Sequence, residues 1–445
     1  MAGIAGVAET GQSGLVERML DKIAHRGKAG RRVAEFKQAT LGAVWPPSQT
    51  TALRPKEEMV KDSAGDGHLA AVQIVNGKPL LVRDLFGVAP LYYGRTSAGV
   101  LCFASEVKGL LAATKVISSL PPACSYDGES LACHYRLAKK PPLKEDPGTV
   151  ALKLRRKLEA PVQVSMERGQ VGAWLSGGLD SSAIVAMARP WVAQLHTFAA
   201  GLAGAPDLEY AREVAHFLKC THHEVVIAMG DMLRVLPEVI YHLESFDALL
   251  VRSSVVNYLA ARRAADDVAE VLSGEGGDEL FAGYAYLKVI APQQLADELV
   301  DITARLHNTA LQRVDRCACA HGLVAHVPFL TPRVVEYTLR IPAEYKIRDG
   351  VEKWILREAI GSSLPAKVLN RPKVKFWEGA GVGALLSDHA DQQVSDGDFS
   401  RERVLPNGWR LASKEELMYY RIFREPFGQI ENLSWMGRTK DAPGS

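Results

Sequence analysis

Two glycine-rich stretches carry residue types that bind phosphate groups and metal ions. The first is LSGGLDSS at Leu175–Ser182, and the second is SGEGGDE at Ser273–Glu279. Glycines let a backbone close around an anion, and Ser181 and Ser182 add hydroxyl donors. Asp180 is placed to hold a Mg²⁺ that bridges phosphates. The first stretch therefore predicts a phosphate loop; the alternative is a serine-capped helix after an ordinary turn.

Each stretch follows an apolar run that predicts a β-strand, Val171–Leu175 before the first and Val268–Leu272 before the second. Ligands of open parallel sheets bind outside the carboxyl ends of strands, so we expect the two loops to meet at one edge. Asp180 and Asp278 then share a metal ion, and Glu275 is placed as a general base toward a reacting amine. The alternative is a solvated acidic loop.

The region that carries these loops alternates between strand and helix patterns. Strands are predicted at Leu195–Ala200 and Glu224–Ile227, with helices at Leu152–Leu158, Leu208–Leu218 and from Ser181 to Ala188. Such alternation predicts a parallel sheet with helices on both faces. The expected fold class is therefore α/β in this half of the chain.

The N-terminal region has a different, β-rich pattern. Two apolar runs, Ala71–Val75 and Pro79–Val82, flank an Asn-Gly pair at 76–77, which is a strong hairpin signal. A second hairpin is predicted within Pro90–Ser105. Short strands at this spacing predict a layered β-rich domain.

Three parts are therefore expected along the chain: a β-rich domain at 1–112, a linker at 113–148 and an α/β domain at 149–445. The linker is predicted from its concentration of Pro, Gly and charged residues. The polar stretch Ser387–Arg403 is predicted to be a mobile surface segment.

Composition excludes several classes of protein. The 445 residues are 47% hydrophobic and 23% charged with a formal net charge of +2, so neither a nucleic-acid nor a membrane partner is indicated. No signal peptide and no membrane span is expected. The six scattered cysteines predict reduced thiols and a cytoplasmic protein, with Cys317 and Cys319 as buried small residues rather than zinc ligands.

Longer motifs give the chain a family resemblance that runs almost end to end. In the C-terminal half they are LSGGLDSS, TFAAGL (Thr197–Leu202), DLEYAREVA (Asp207–Ala215), ESFDALLVRSS (Glu244–Ser254), LSGEGGDELFAGY (Leu272–Tyr284), EKWILREAI (Glu352–Ile360) and LPAKVLNRPK (Leu364–Lys373). With these motifs the sequence resembles asparagine synthetases and their relatives, the β-lactam synthetases. GIAG, HRG, RDLFGVAPLYY and FASEVKGLL resemble that family's glutamine-hydrolysing domain.

The resemblance implies a shortened Ntn-hydrolase-like αββα domain followed by an ATP-pyrophosphatase-type synthetase domain. It also implies a reaction with ATP and Mg²⁺. A substrate carboxylate attacks the α-phosphate to give an acyl-adenylate and pyrophosphate. An amine or ammonia then displaces AMP and forms an amide.

The same resemblance implies roles for individual residues. Glu275 and Lys373 are the catalytic candidates, and the fixed cation of Lys373 lies near the developing charge. Asp180 and Asp278 match metal ligands. The nucleotide-binding set is Leu175, Ser176, Gly177, Gly178, Asp180, Ser181, Ser182, Ala200, Ser273 and Gly274.

Three substitutions separate the chain from plain asparagine synthesis. The family's GxExRxPFLD stretch has lost its Glu, Arg and terminal Asp, which are here Val324, His326 and Thr331. The lost Glu removes a carboxylate on the acceptor side of the family's site. His326 is a candidate substitute base; the alternative is a packed or surface histidine.

The glutaminase half departs further from the family. The nucleophile position holds Ala2, whose methyl group cannot attack an amide. HRG is followed by Lys28-Ala29 instead of Pro-Asp, and the carboxylate-binding arginine motif and the Asn-Gly-Glu element are absent. This half is therefore predicted to be a degenerate remnant.

The expected function is an ATP-dependent, AMP-forming amide ligase that does not use glutamine, acting in specialised metabolism. Its expected partners are small-molecule or peptide carboxylates and amines, with a possible homodimer. Three alternatives are an ammonia-dependent asparagine synthetase, an intramolecular lactam or peptide cyclase, and a non-catalytic nucleotide-binding scaffold.

Overall fold

The N-terminal region consists of two antiparallel six-stranded sheets. The computed structural model describes residues 1–49, 52–65, 67–430 and 432–440. The first twelve strands are β1 Gly3–Val7, β2 Gly30–Phe36, β3 Ala39–Trp45, β4 Leu53–Arg54, β5 Met59–Gly65, β6 His68–Val75, β7 Lys78–Arg83, β8 Tyr92–Arg95, β9 Leu101–Ala104, β10 Ile117–Ser119, β11 Cys124–Tyr126 and β12 Leu131–Cys133. One sheet has the order β10-β8-β9-β1-β3-β2, and the other β12-β11-β7-β6-β5-β4. Helices α1 (Ser13–Lys22) and α2 (Val107–Leu110) pack on the first sheet.

Both predicted hairpins are present, and the β-rich layered architecture is confirmed. β6 and β7 pair antiparallel with Val75 opposite Lys78. The two residues between them, Asn76 and Gly77, have φ angles of +51° and +80°. This left-handed pair gives the turn that joins strands with a right-handed twist, which explains the Asn-Gly signal.

Three strands lie inside the segment that the sequence predicts to be a linker. β10 joins the first sheet, and β11 and β12 extend the second. Each has only three residues among prolines and glycines, so no alternating pattern reveals it. The connecting segment therefore begins after Cys133.

The expectation that all six cysteines are reduced is wrong for one pair. Cys124 and Cys133 lie opposite each other in the β11–β12 ladder and form a disulfide. Cys317 and Cys319 are free and buried, as expected for small core residues.

The C-terminal region is built on a five-stranded parallel sheet. Its strands are β13 Val171–Trp174, β14 His196–Leu202, β15 Thr221–Ile227, β16 Glu270–Leu272 and β17 Val324–His326, followed by a small hairpin of β18 Ile347–Arg348 and β19 Val351–Glu352. The strand order is β15-β14-β13-β16-β17, and every ladder is parallel. The predicted parallel-sheet α/β architecture is confirmed. Residues 431 and 441–445 of the predicted 149–445 domain, and residues 50, 51 and 66 of the 1–112 domain, lie outside the described residues.

Sixteen helices are described after the second N-terminal one. They are α3 Pro147–Met166, α4 Leu179–Ala188, α5 Pro206–Phe217, α6 Met229–Leu243, α7 Ala248–Ala264, α8 Gly277–Phe281, α9 Pro292–Ala304, α10 Ala310–Cys319, α11 Pro332–Thr338, α12 Ala343–Lys346, α13 Trp354–Ile360, α14 Ala366–Leu369, α15 Phe376–Gly379, α16 Leu385–Gln393, α17 Asp396–Glu402 and α18 Lys414–Phe427. Within the described part of the chain, no helix is long and apolar enough to cross a membrane.

The polar stretch 387–403, predicted to be a mobile surface segment, is helical and lies largely at the surface. It forms most of α16 and all of α17. Leu386 and Ala390 bury one side of α16, and the Ser395 hydroxyl accepts a hydrogen bond from the Asp398 amide to begin α17. Few apolar residues at helical spacing suffice here because the rest of the helix surface faces water.

A topological switch point lies between β13 and β16. From β13 the chain builds the sheet outward through β14 and β15, then returns to add β16 and β17 on the other side. The loops that follow β13 and β16 therefore open onto one crevice at the carboxyl edge of the sheet, where doubly wound folds bind ligands.

Candidate active site

Hydrogen bonds between its own serines fix the conformation of the loop after β13. Ser176 and Ser181 hydroxyls lie 3.1 Å apart, and the Ser176 amide donates to the Ser181 hydroxyl at 3.2 Å. Gly177 has a φ of +68°, and a Cβ there would lie 2.5 Å from Tyr210 Cβ. Only glycine fits this approach, so α5 and the loop fix each other's position.

Helix α4 begins directly behind this loop. Its N-cap is Gly178, which has no side chain to satisfy the first amides. Every residue of α4 is buried, so the helix runs through the protein with its amino end toward the crevice. Unpaired amides and the positive end of the helix dipole favour an anion at this position.

The loop after β16 packs against the first loop at glycine positions. A Cβ on Gly274 would lie 2.7 Å from the Ser181 amide nitrogen, and one on Gly277 would lie 2.5 Å from Asp180 Cγ. These close approaches explain why the second loop is glycine-rich. They bring both acidic loops to one edge of the sheet, as expected from the sequence.

Two lysines join the two aspartates. The Lys353 ammonium contacts Asp180 and lies 2.5 Å from Asp278 Oδ1, and the Lys373 ammonium lies 2.5 Å from Asp278 Oδ2. Lys353 is only 2% exposed, so its charge depends on these partners. The cluster holds two negative and two positive charges at the mouth of the loop that follows β13.

The two aspartates differ in their proton affinity. Burial works to raise the pKa of Asp278, but the charges of Lys353 and Lys373 outweigh it and hold that pKa well below the usual range. At Asp180 burial prevails and, together with the like charge of Asp278, raises the pKa, although the charge of Lys353 works to lower it. Burial tends to lower the pKa of Lys373, but Asp278 and Asp180 raise it above its usual value. The lysine ammonium is therefore a permanent charge.

Two further ion pairs border the same crevice. Arg313 contacts the Glu275 carboxylate, and Arg371 lies 2.5 Å from Asp207. Arg371 also donates to the Ser176 carbonyl at 3.5 Å. Glu275, predicted as a free general base, is therefore a paired carboxylate whose position Arg313 fixes.

The crevice is a cavity of about 630 Å³. The predicted site residues that line it are Leu175, Ser176, Gly178, Asp180, Ser181, Ala200, Ser273, Gly274, Glu275, Asp278 and Lys373. Gly177 and Ser182 do not: Gly177 packs on α5, and Ser182 is fully buried in α4. The cavity is within the usual size range of small-molecule sites.

The three substituted positions lie apart from this lining. His326 is 2% exposed at the end of β17, and its Nε2 is 2.6 Å from Glu270 Oε2. Val324 is fully buried, and Thr331 is 6% exposed. His326 is thus the packed histidine of the two alternatives, and its ring is hydrogen-bonded to Glu270 inside the sheet.

The donor set fits a magnesium ion. Asp180 and Asp278 both line the cavity, and Asp180 Oδ1 is buried and accepts no hydrogen bond from the described residues. Mg²⁺ prefers one or two carboxylates together with substrate phosphate oxygens. The two aspartates are therefore able to hold the ion beside the loop that follows β13.

Lys353, Arg313 and Arg371 are site residues that the sequence patterns did not predict. Lys353 stands inside the EKWILREAI motif, and Arg371 stands in NRPK, so both were quoted without a role. Their contacts join positions 164 to 173 residues apart. The signal available for Lys353 and Arg371 was their place inside these two motifs, whereas Arg313 lies in no quoted motif.

Comparisons with known proteins agree with the motifs. The sequence model of the asparagine synthase family matches residues 153–299 and 290–437, which include both loops. That of the glutamine amidotransferase domain matches residues 56–128. This second match ends beyond residue 112, in agreement with the strands found in the predicted linker.

Three relatives illustrate the similarity. Glutamine-hydrolyzing asparagine synthetase B of Escherichia coli K12 is 36% identical over 372 residues, covering 78% of this chain and 67% of the relative. Asparagine synthetase 2 of Arabidopsis thaliana is 35% identical and covered to 64%. The Gallus gallus enzyme is 34% identical over 429 residues, 85% of this chain and 76% of the relative. The chain thus spans about two thirds of the length of the first two relatives.

Proposed function

The chain belongs to the asparagine synthase family of ATP-dependent ligases that form C–N bonds, and we propose that it joins a carboxylate to an amine or ammonia without hydrolysing glutamine. The observation that carries this proposal is the contrast between its two halves. The synthetase-type cavity keeps its acids and lysines, while the place of the glutaminase nucleophile is filled by protein side chains.

Nucleotide binding is supported by the geometry of the two loops. The triphosphate would lie against the amino end of α4, where free amides and the helix dipole favour negative charge. Ser176 and Ser181 supply hydroxyls at the same place, and Leu175 and Ala200 line the cavity beside the loop. A bound Mg²⁺, held by Asp180 and Asp278, would neutralise phosphate charge.

Activation of the acid needs cations at the α-phosphate. When a carboxylate oxygen attacks that phosphorus, the P–O bond to pyrophosphate breaks and the leaving group takes the negative charge. The Lys373 ammonium is fixed by Asp278 and borders the cavity, so it is placed to stabilise this charge. Lys353 holds both aspartates in position beneath it.

In the second half-reaction an amine nitrogen attacks the acyl carbon and AMP leaves. The nitrogen must lose a proton, and Glu275 is one of the carboxylates of the second loop that line the cavity. Its contact with Arg313 fixes its direction. The family's acceptor-side Glu is absent from the sequence, where Val324 stands in its place, and this loss supports a reaction other than plain asparagine synthesis, in specialised metabolism.

Independence from glutamine is supported by the surroundings of Ala2. Its amide donates to Gln49 Oε1 at 2.6 Å, and its carbonyl accepts from Arg26 Nε at 2.9 Å. Ala2 and Arg26 are both at most 1% exposed. The amidotransferase match begins at residue 56, so it leaves out this whole segment.

The proposed ligase is tested by pyrophosphate release from Mg-ATP with a panel of carboxylic acids and amines. We expect release that depends on the acid, with AMP as the second product. If ATP binds and no acid in a broad panel stimulates release, the protein is a nucleotide-binding scaffold instead.

Glutamine independence has its own test in the variant Ala2→Cys. We expect no glutamate from glutamine, because Gln49 and Arg26 still fill the pocket around residue 2. The readout is glutamate formation, with unchanged ammonia- or amine-dependent activity as the control. Glutamate production by this variant would contradict the proposal.

A further inference from the structure

A short segment near the end of the described chain forms part of the cavity wall. We call residues 432–440 the C-terminal strap. Arg438, Thr439 and Lys440 of the strap line the cavity. They come from a region about 260 residues after the phosphate loop in sequence, and nothing in their composition marks them as site residues.

The strap is fastened on one side by Asp247. The Thr439 amide donates to Asp247 Oδ2 at 3.0 Å, and the Thr439 hydroxyl donates to Oδ1 at 2.8 Å. The same Oδ1 accepts the Leu250 amide at 2.9 Å and so caps α7. One carboxylate, 5% exposed, therefore holds both the strap and the start of a helix whose residues also line the cavity.

On the other side the strap is fastened to α9. The Lys440 ammonium is 2.8 Å from Glu298 Oε1 and 2.9 Å from Asp301 Oδ2. Ile302 and Arg305 of the same helix line the cavity. The strap thus spans the gap between α7 and α9.

The middle of the strap packs closely against the backbone of Asn308. A Cβ on Gly437 would lie 2.2 Å from the Asn308 carbonyl oxygen, so only glycine fits there. Arg438 lies 2.5 Å from Glu416 of α18. Trp435, 1% exposed, packs edge-on to Tyr92 with ring centroids 6.1 Å apart.

The strap lies away from the phosphate loops. Its partners are Asp247 at the start of α7, α9, Glu416 of α18 and the Arg410 carbonyl, and no hydrogen bond or ion pair of Arg438–Lys440 reaches Leu175–Ser182 or Ser273–Glu279. The strap therefore walls a part of the cavity apart from the two glycine-rich loops. That part is available to the acid or amine substrate of the proposed reaction.

We propose that the C-terminal strap is a specificity wall that limits the length of the acid substrate beyond its reacting carboxylate. This inference rests on the proposed ligase function. Asp247 acts through Thr439 and is a positioning residue. Thr439 and Lys440 set how far the wall stands from α7 and α9.

The test uses a double variant, Thr439→Val with Lys440→Met, in the full chain. Valine has nearly the shape of threonine. It keeps the hydrogen bond from the backbone amide of residue 439 to Asp247, and the cap of α7 by Asp247 is unchanged. The matched control is Lys414→Met, which breaks the 2.7 Å ion pair to Asp396 on α17, outside the cavity lining.

The probes are Mg-ATP and a series of aliphatic α-amino dicarboxylic acids that lengthen by one methylene at a time, read by pyrophosphate release. We expect the kcat/KM ratio of a longer to a shorter acid to rise roughly tenfold in the double variant, the effect of one methylene in a fitted pocket. The Kd for Mg-ATP should change less than about twofold, because the strap makes no hydrogen bond or ion pair with the two glycine-rich loops. An unchanged ratio, or a matching loss of ATP affinity, overturns the inference.

A second measurement separates this inference from the ligase proposal. Amide hydrogen exchange in the wild type should be slow at Thr439 and Leu250. In the double variant exchange should be faster at residue 439, because its amide then holds the strap to Asp247 without the hydroxyl and Lys440 bonds, and it should stay slow at Leu250. Absence of acid-dependent pyrophosphate release with any acid refutes the ligase. Fast exchange of the Thr439 amide in the wild type would show that the strap is not held against Asp247. That result would overturn the proposed role of the strap, whether or not the protein is a ligase.

Discussion

Two clusters of buried charge, one within the C-terminal half and one between the two halves, both combine acidic with basic side chains. The first joins Asp180, Asp278, Lys353 and Lys373 at the sheet edge. The second lies between the N-terminal sheets and α10. Its members are Arg26, Asp62, Glu106, Lys108, Glu244, Asp315 and Arg316.

The clusters differ in where they lie relative to the cavity. In the second, each of the three Arg26 nitrogens donates, to Ala2, Glu106, Asp315 and Asp62, and the side chain is fully buried. Its seven residues do not line the cavity, and Asp62 Oδ1 and Arg316 Nε are buried without a hydrogen-bond partner among the described residues. All four residues of the first cluster line the cavity. We call the second the closed cluster and the first the open cluster: a closed cluster is structural, while an open one is able to bind a ligand.

The largest expected effect comes from removing the centre of the closed cluster. Arg26→Met takes one cation away from three buried carboxylates, those of Asp62, Glu106 and Asp315, so we expect a loss of about 3–5 kcal/mol in the free energy of unfolding. Urea unfolding measures it. The control Arg401→Met breaks an exposed pair with Asp398 and should change stability by at most about 1 kcal/mol. Equal changes in the free energy of unfolding would mean that the buried cluster contributes no more to stability than an exposed ion pair.

Removing a cation from the open cluster, which lines the cavity, should change activity more than stability. Lys373→Met is expected to lower kcat by roughly 10²–10³, the usual effect of losing a fixed group that stabilises transition-state charge. Its thermal midpoint should stay close to that of the wild type, because Lys353 still pairs with Asp278. Steady-state pyrophosphate release checks this. Normal turnover with an unstable fold would reverse the roles assigned to the two clusters.

A smaller, pH-dependent effect is expected at Asp62. Burial raises its pKa to about 6 despite the nearby charge of Arg26, whereas the unfolded chain has about 3.9. The raised value means that the wild type is penalised above pH 6, and that the penalty disappears as pH falls from about 6 to about 4. Asp62→Asn should therefore stabilise the protein by about 1–3 kcal/mol at pH 8 and by nothing at pH 4.

Chemical unfolding of both proteins between pH 4 and pH 8 measures this difference. Arg26 remains hydrogen-bonded in the variant, because the asparagine oxygen accepts at the same place. A stability difference that does not vary with pH would show that the charge of Asp62 is not the cause.

The sequence predicted the features that local chemistry determines. LSGGLDSS lies in one turn between a strand and a helix, so residue types alone indicated the phosphate loop. Asn76-Gly77 indicated its hairpin because the turn needs two left-handed residues. Both signals are contained within fewer than ten consecutive residues.

Features that depend on distant contacts were not predictable in this way. The partner of Asp180 is Lys353, 173 residues away, and no spacing rule connects them. Glu275 was expected to be a free base because Arg313 is not visible as its partner from sequence. The strands β10–β12 exist because neighbouring strands offer them hydrogen bonds, while their own composition favours a linker.

The position of the strap in the chain has a consequence for protein synthesis. Arg438–Lys440 form part of the cavity wall, and Trp435 packs on Tyr92, which is translated more than 300 residues earlier. At roughly 5–20 residues per second, the N-terminal sheets emerge well before the strap is made. A nascent chain therefore has an incomplete cavity until residues 438–440 have been translated. The order of translation alone delays the closed cavity until the sheet that carries Tyr92 is available for the strap to pack on.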